Sequence, residues 1–285
     1  MDLSIIIPSF NTRQLLDKVL LSIEQSPKTI SIETFVVDNA SSDGSALMVQ
    51  NKYPRVMLLQ NDHNVGFARA NNQALRICSG RYALLLNSDA EVLGSALQTM
   101  VEFADNNPDI GILGPQLLYP DGTLQPSGND VASAWEELLW ITALRRLLGW
   151  KSRSRYFQKN RDYGEILDVE EISGACMIIR RQVWEQIGKL DEGYFFCFED
   201  VDFCMRARTA YWRVTYFPKA RVLHHWGKSS VSAPSVLKKN YKESRLRFYR
   251  KVYGRLFEFC ARGLLTIKEP VTSLLSQLAK LTNFS

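Results

Sequence analysis

No apolar run in this sequence approaches the roughly 18 to 20 residues that cross a bilayer, so a membrane-spanning chain is not expected. The first residues, Met1-Asp2 followed by Leu3-Ser4-Ile5-Ile6-Ile7, carry no basic stretch of the signal-peptide kind, and a cytoplasmic location is the expectation. Cysteine is scarce: there are five, an odd number without a CxxC pair, which excludes a disulfide framework and a zinc ribbon and leaves them as reduced core residues. Histidine is scarcer, with three, of which His224 and His225 are neighbours. There is no internal repeat and no low-complexity segment. Charge of one sign is barely in excess: the formal +5 is matched by residues 240–262 alone, where Lys242, Arg245, Arg247, Arg250, Lys251, Arg255 and Arg262 face only Glu243 and Glu258. The near-neutral remainder and the absence of a recognised binding motif argue against nucleic acid as a partner.

What is present is a 285-residue chain, 46% hydrophobic, long enough to bury a full α/β core, with one domain plus an appendage expected. Leu3 to Ile7 is a continuous apolar run stopped by Pro8, which suits a buried parallel strand. Leu15, Leu16, Val19, Leu20 and Ile23 then recur at helical spacing behind Thr12, a candidate cap, and Thr34 to Val37 reads as the next strand. Further strands are predicted at Val56 to Leu59 and Tyr82 to Leu86, with helices opening at Asp43-Gly44 and spanning Phe67 to Cys78. Alternation of this kind implies a parallel, doubly wound sheet over the first half, with ligands gathering at the carboxyl ends of its strands. From Pro115 to Glu171 the pattern is less regular, with a helix predicted from Trp135 to Trp150. It recovers with a Cys176 to Ile179 strand and a Val183 to Ile187 helix. From Lys238 a basic segment carries Leu246, Tyr249, Tyr253, Leu256, Phe257, Cys260 and Leu264 on one side of a helix.

Three clusters offer chemistry. Asn87-Ser88-Asp89 follows a strand and puts a carboxylate and an amide where they either hold Mg²⁺ or Mn²⁺ against a diphosphate or cap the next helix. Glu199, Asp200 and Asp202 open a helix; Asp200 and Asp202 point nearly opposite ways, so one or two of the three serve a site. A helix N-terminus is expected to lower such a carboxylate's pKa, which suits a base that must be ionised. Of His224 and His225, at most one faces a cleft, as a metal ligand or as an ordinary buried histidine. Asp38-Asn39, at the end of the second strand, offers an acceptor for a pyrimidine N3–H, and Asn64-Val65-Gly66-Phe67-Ala68 starts a helix whose free N–H groups suit phosphate.

Taken in order, "IIIPSFN", "VVDNASSDGS", "NDHNVGFARANN", "YALLLNSDAE", "SGACMIIRR", Leu190-Asp191-Glu192, "FFCFEDVDFCMRAR" and "ARVLHHWGKSS" resemble the family-two glycosyltransferases of GT-A fold, in particular the bacterial rhamnosyltransferase-like branch. The resemblance implies an α/β chain with a Rossmann-like, mostly parallel sheet flanked by helices, and a C-terminal helical extension. It divides the chain into a catalytic domain at 1–235, with a nucleotide-sugar half at 1–114 and an acceptor half at 115–235, and a basic amphipathic extension at 236–285. By the same resemblance Asp38 contacts the base, and Pro8, Ser9, Phe10, Asn11, Asn39, Asn64, Gly66, Phe67, Asn71, Asn87 and Ser88 hold the nucleotide sugar. Asp89 and His224 hold Mg²⁺ or Mn²⁺, Asn87 standing where the family has the first carboxylate of its DxD motif. Asp200 matches the general base, with Glu199 beside it, and Gly174, Ala175 and Trp226 lie near the sugars. The implied reaction is an inverting transfer from a nucleotide diphosphate sugar, dTDP-L-rhamnose or else a UDP-sugar, to a hydroxyl of a lipid-linked or cell-surface saccharide. Residues 238–264 then lie on the inner face of the plasma membrane or pack on the catalytic domain; oligomeric state is left open. A nucleotidyltransferase would need a Gly-rich loop where Pro8-Ser9-Phe10-Asn11 stands, and a non-catalytic nucleotide-sugar-binding partner would tolerate loss of the base or the metal ligand, both of which are present.

Overall fold

The computed structural model describes residues 1–27, 29–142, 162–227 and 234–266. The apolar run of β1 (Leu3–Ser9) is buried along almost its whole length because helices cover both faces of the sheet. α1 (Arg13–Gln25), β2 (Ile32–Asp38), α2 (Ser45–Lys52), β3 (Met57–Gln60), α3 (Phe67–Leu75) and β4 (Tyr82–Leu86) complete the expected alternation, and β3-β2-β1-β4 are all parallel. Thr12 makes no cap bond to α1; its hydroxyl meets Ser9 Oγ at 3.0 Å and Ser88 Oγ at 3.0 Å, tying the loops after β1 and β4 together.

The second half continues the same sheet. β5 (Ala90–Val92), α4 (Ala96–Asn106) and β6 (Ile110–Leu118) precede three short segments, β7 (Leu124–Gln125), β8 (Gly128–Asn129) and α5 (Ala134–Thr142). Residues 143–150 of the predicted Trp135–Trp150 helix lie outside the described residues. β9 (Leu167–Asp168), β10 (Glu171–Ile172), β11 (Cys176–Arg180), α6 (Arg181–Ile187), α7 (Glu199–Thr209), β12 (Arg213–His224), α8 (Pro234–Val252) and α9 (residues 255–266) follow. Strand order is β3-β2-β1-β4-β11-β6-β12-β5, with β11 antiparallel between β4 and β6 and β5 antiparallel at the edge. β7 pairs with β6 and β9 with β12, while β8 and β10 form a separate antiparallel ladder.

Two apolar cores cover the two faces. Leu16, Val19, Leu20 and Ile23 of α1 join Leu97, Met100 and Val101 of α4 on one face. Ala68 and Ala74 of α3, Val183 and Trp184 of α6, and Phe203 and Cys204 of α7 occupy the other. Full burial of each large aliphatic side chain contributes about 1.5–3 kcal/mol, so this pair of layers holds the strand ends in place. A third cluster joins Ile141 of α5, Tyr194, Val201 of α7, Leu246 and Tyr249 of α8 and Ala261 of α9. The cysteines are not all core residues: Cys78, Cys176 and Cys204 are buried, Cys197 is half-buried and Cys260 is exposed on α9. Among the described residues, no helix is long and apolar enough to cross a membrane.

Candidate active site

A cavity of about 500 Å³ opens at the carboxyl ends of the parallel strands. One wall comes from the first half: Pro8, Ser9 and Phe10 after β1, Asn39 after β2, and Asn87 and Ser88 after β4. Asn64, Gly66 and Phe67 add the start of α3. Gly66 sits at φ +84°, and a Cβ there would lie 2.7 Å from the Phe195 carbonyl oxygen, so glycine is needed for α3 to meet the 195–198 segment. Two of the N–H groups at this helix start are engaged within the protein. Gly66 N–H donates to Asn64 Oδ1 at 2.9 Å and Phe67 N–H to the Phe195 carbonyl at 3.2 Å.

Four of the residues expected at the nucleotide sugar and metal lie behind this wall. Asn11, at φ 53°, accepts from Ser42 N–H at 2.7 Å and pins the loop after β2. Asp38 accepts from Ser41 N–H at 3.0 Å through Oδ2, and its Oδ1 is buried without a partner. Asn71 donates to the Phe67 carbonyl at 3.0 Å and keeps a buried, unpartnered Oδ1. Asp89 is fully buried.

The opposite wall is acidic. Cys197 and Phe198 both adopt left-handed backbone, φ 65° and 71°, a conformation costing non-glycine residues about 1–3 kcal/mol that persists only where surrounding packing demands it. This turn starts α7 with Glu199 and Asp200 on the cavity. Asp200 Oδ2 accepts from Gly174 N–H at 2.8 Å and Oδ1 from Val201 N–H at 2.9 Å, which fixes the carboxylate in orientation. Asp202 turns away to Arg206 at 2.9 Å, Lys251 and the Tyr194 hydroxyl. The helix start does not lower the Asp200 pKa: burial outweighs the two N–H donors and raises it. Glu199 is pushed well above the usual carboxylate range, by burial first and then by the Asp200 charge, and its Oε2 has no partner.

His224 ends β12, and its Nδ1 lies 2.9 Å from Gln125 Oε1. An amide oxygen only accepts, so Nδ1 donates in this bond and Nε2 is the ring nitrogen turned towards Asp89 and Asn87. Nε2 stands 3.3 Å from Asp89 Oδ1 and 3.4 Å from Asn87 Nδ2. An imine nitrogen and a carboxylate oxygen at this distance repel each other unless a cation or a proton lies between them. Among the described residues no group of three or more His, Cys, Asp or Glu could hold a metal alone. The donor set therefore suits a Mg²⁺ or Mn²⁺ whose remaining positions are filled by phosphate oxygens and water. His225 faces the other way, onto Glu91 Oε1 at 2.7 Å.

Several cavity residues carry no local sequence signal. Gln125 orients His224 from a two-residue strand; Glu171 and Asn129 meet only through the β8–β10 ladder; and Leu237 and Tyr241 of α8 line the same cavity. Gly174, Ala175 and Trp226 are on the wall, Trp226 largely exposed and stacked on Tyr119 at 6.0 Å between ring centroids.

Residues 4–188 match the model described as Glycosyl transferase family 2. An N-acetylglucosaminyl-diphospho-decaprenol L-rhamnosyltransferase of Mycobacterium tuberculosis (strain CDC 1551 / Oshkosh) is 28% identical over 227 residues, 72% of this chain and 70% of that protein. The crystal structure of S. aureus TarS 1-349 in complex with UDP-GlcNAc resembles this one with a TM-score of 0.57 at 18% identity, covering 93% of this chain and 70% of that chain. The mannosyltransferase PcManGT from Pyrobaculum calidifontis, in complex with GDP-Man and Mn²⁺, does so with a TM-score of 0.54 at 17% identity, covering 98% and 79%. The two structural likenesses identify the sheet and its helices as the GT-A fold. The family match spans most of the chain, from β1 to the end of α6, and the chain belongs to glycosyl transferase family 2.

Proposed function

We propose that this glycosyltransferase works by inversion with metal assistance, moving L-rhamnose from dTDP-L-rhamnose to a hydroxyl of a lipid-linked or cell-surface saccharide. The observation that carries the reading is Asp200: a carboxylate on the cavity wall, aimed by Gly174 N–H, whose affinity for a proton burial has raised. It takes the proton from the acceptor hydroxyl as that oxygen attacks the anomeric carbon in line, and no covalent enzyme intermediate is required. Asp89 and His224 would hold a Mg²⁺ or Mn²⁺ ion, which would supply positive charge to the leaving diphosphate. Asp38 Oδ1, buried without a partner, supports a role in accepting the N3–H of the base.

The donor sugar rests on the rhamnosyltransferase relative and on a wall in which Phe67, Phe195 and Phe198 offer apolar contact to a 6-deoxy sugar. A UDP-sugar is the second donor to be tried. The decaprenol carrier in that relative's name supports a lipid-linked acceptor, and the basic α8–α9 segment supports a position at the inner membrane surface. In this reading 1–114 holds the donor, 115–235 the acceptor, and 236–285 the membrane, with Leu237 and Tyr241 reaching back to the site.

Asp200→Asn keeps size and an acceptor oxygen but takes no proton. It should retain nucleotide-sugar affinity while kcat falls on the order of 10²-fold or more, with Glu199→Gln affected less. Near-normal turnover by Asp200→Asn together with a dead Glu199→Gln would move the base to Glu199.

A further inference from the structure

β8 and β10 form a ladder of two residues each, in which Asn129 and Glu171 are direct partners. Asn129 Nδ2 donates to Glu171 Oε1 at 3.1 Å. This single bond leaves Asn129 Oδ1 and Glu171 Oε2 buried with no partner, and both side chains line the cavity. Glu171 is 5% exposed. Only Oε1 serves the ladder; Oε2 adds nothing to it. Glu170, on the opposite face, takes Val131 N–H at 2.8 Å and Arg208 at 3.1 Å, while Ile172 packs fully buried and donates its N–H to Cys204 Sγ at 3.5 Å. An apolar residue at 171 would avoid the cost of burying unpaired oxygens, so their retention points to a ligand that donates to them.

The geometry points to an acceptor-hydroxyl subsite in which Glu171 and Asn129 bind a ring hydroxyl of the acceptor sugar beside Asp200. The inference rests on the transferase reading above. Burial, followed by the Asp200 charge, pushes Glu171 up to about 8, so at neutral pH it is mainly the uncharged acid, able both to donate and to accept. A sugar hydroxyl has the same dual capacity. Ile172 N–H meets Cys204 Sγ at 3.5 Å and Gly174 N–H meets Asp200 Oδ2 at 2.8 Å, so the residues that follow Glu171 are held on α7 and the pair lies on the side of the base, where the attacking sugar must lie.

The test uses two probe acceptors, N-acetylglucosaminyl diphosphate on a short phenoxyalkyl chain and octyl α-L-rhamnoside, with dTDP-L-rhamnose as donor. Wild type, Glu171→Leu, Glu171→Gln and Asn129→Leu are compared for acceptor KM, kcat, donor Kd and melting temperature. Glu171→Leu should raise acceptor KM roughly tenfold, the loss of about one hydrogen bond, with donor Kd unchanged. Glu171→Gln, which still donates and accepts, should recover most of the loss. Should Glu171→Leu fail to fold, the Glu171→Gln and Asn129→Leu pair decides, the second raising acceptor KM and the first not. An unchanged acceptor KM, or an equal loss of donor affinity, overturns the subsite. A wild-type protein that binds the donor but transfers to neither probe removes the acceptor reading and the subsite with it. One that binds no nucleotide sugar refutes the transferase proposal itself.

Discussion

Glu171, Glu199 and Asp200 crowd three carboxyls into one wall, and each has its pKa raised first by burial. Glu171 has the clearest consequence for stability. Its folded pKa of about 8 exceeds the unfolded 4.5, so the fold binds the proton more tightly. The stabilisation is complete below about pH 4.5 and is lost as pH rises through about 8. Urea denaturation at pH 5, 7 and 9 should show wild-type stability falling over this range, by on the order of 2–4 kcal/mol more than in Glu171→Gln, which has no proton to lose. Identical pH slopes for the two proteins would contradict the protonated Glu171. Gly66 gives a second residue-scale prediction. Gly66→Ala combines a left-handed backbone with a clash against the Phe195 carbonyl, and should cost about 1–3 kcal/mol and lower kcat by displacing the segment that leads to Glu199. An unchanged melting curve would show that α3 and the 195–198 segment move apart freely. The acidic cluster at Glu199, Asp200 and Asp202 marks this helix start in the sequence, and only the family resemblance singles out Asp200 within it; Glu171 carries no such mark, since its partner Asn129 lies 42 residues away and only the ladder joins them.

α8 and α9 show what periodicity can and cannot disclose. The one-sided apolar stripe was readable from Lys238 onward, but spacing reveals that a face is covered without revealing by what. Tyr249, Tyr253 and Phe257 stack among themselves and close over α5 and α7 rather than facing outward. Much of the basic charge is also engaged inside the protein: Arg245 with Glu137, Arg247 with Asp191, and Lys251 with Asp191 and Asp202. Asp202 therefore clamps α7 to α8. Asp202→Asn should lower stability by roughly 1–3 kcal/mol with little change in kcat, measured by denaturation and initial rates. Any membrane contact falls to the outward side of α9, where Leu256 and Phe259 are exposed on the same helix as Arg255. Vesicles containing anionic lipid should retain the protein, release it as salt shortens electrostatic reach to about 8 Å at physiological strength, and retain a Leu256→Gln/Phe259→Gln variant less well. Equal retention of that variant would place the contact elsewhere.

At the scale of the molecule, one continuous sheet brings the two halves of the site together. The parallel strands β3-β2-β1-β4 were legible because buried runs alternate with amphipathic helices. β6 was not, because Gly111, Gly114 and Pro115 break its pattern. Those glycines are packing requirements: a Cβ on Gly111 would meet Trp212, and one on Gly114 would meet Ile172. β6 pairs with β12, whose last residue is His224, so the strand hardest to read holds that histidine at the cavity. The proposed reaction is an inverting, metal-assisted sugar transfer. It is tested most directly by incubating the metal-stripped protein with dTDP-L-rhamnose or UDP-sugars and acceptor, with and without Mn²⁺, and determining the product's anomeric configuration by NMR. Rhamnosylated product is expected only when metal is restored, with configuration opposite to the donor's. Product of retained configuration, or undiminished transfer by the metal-stripped protein, would contradict it.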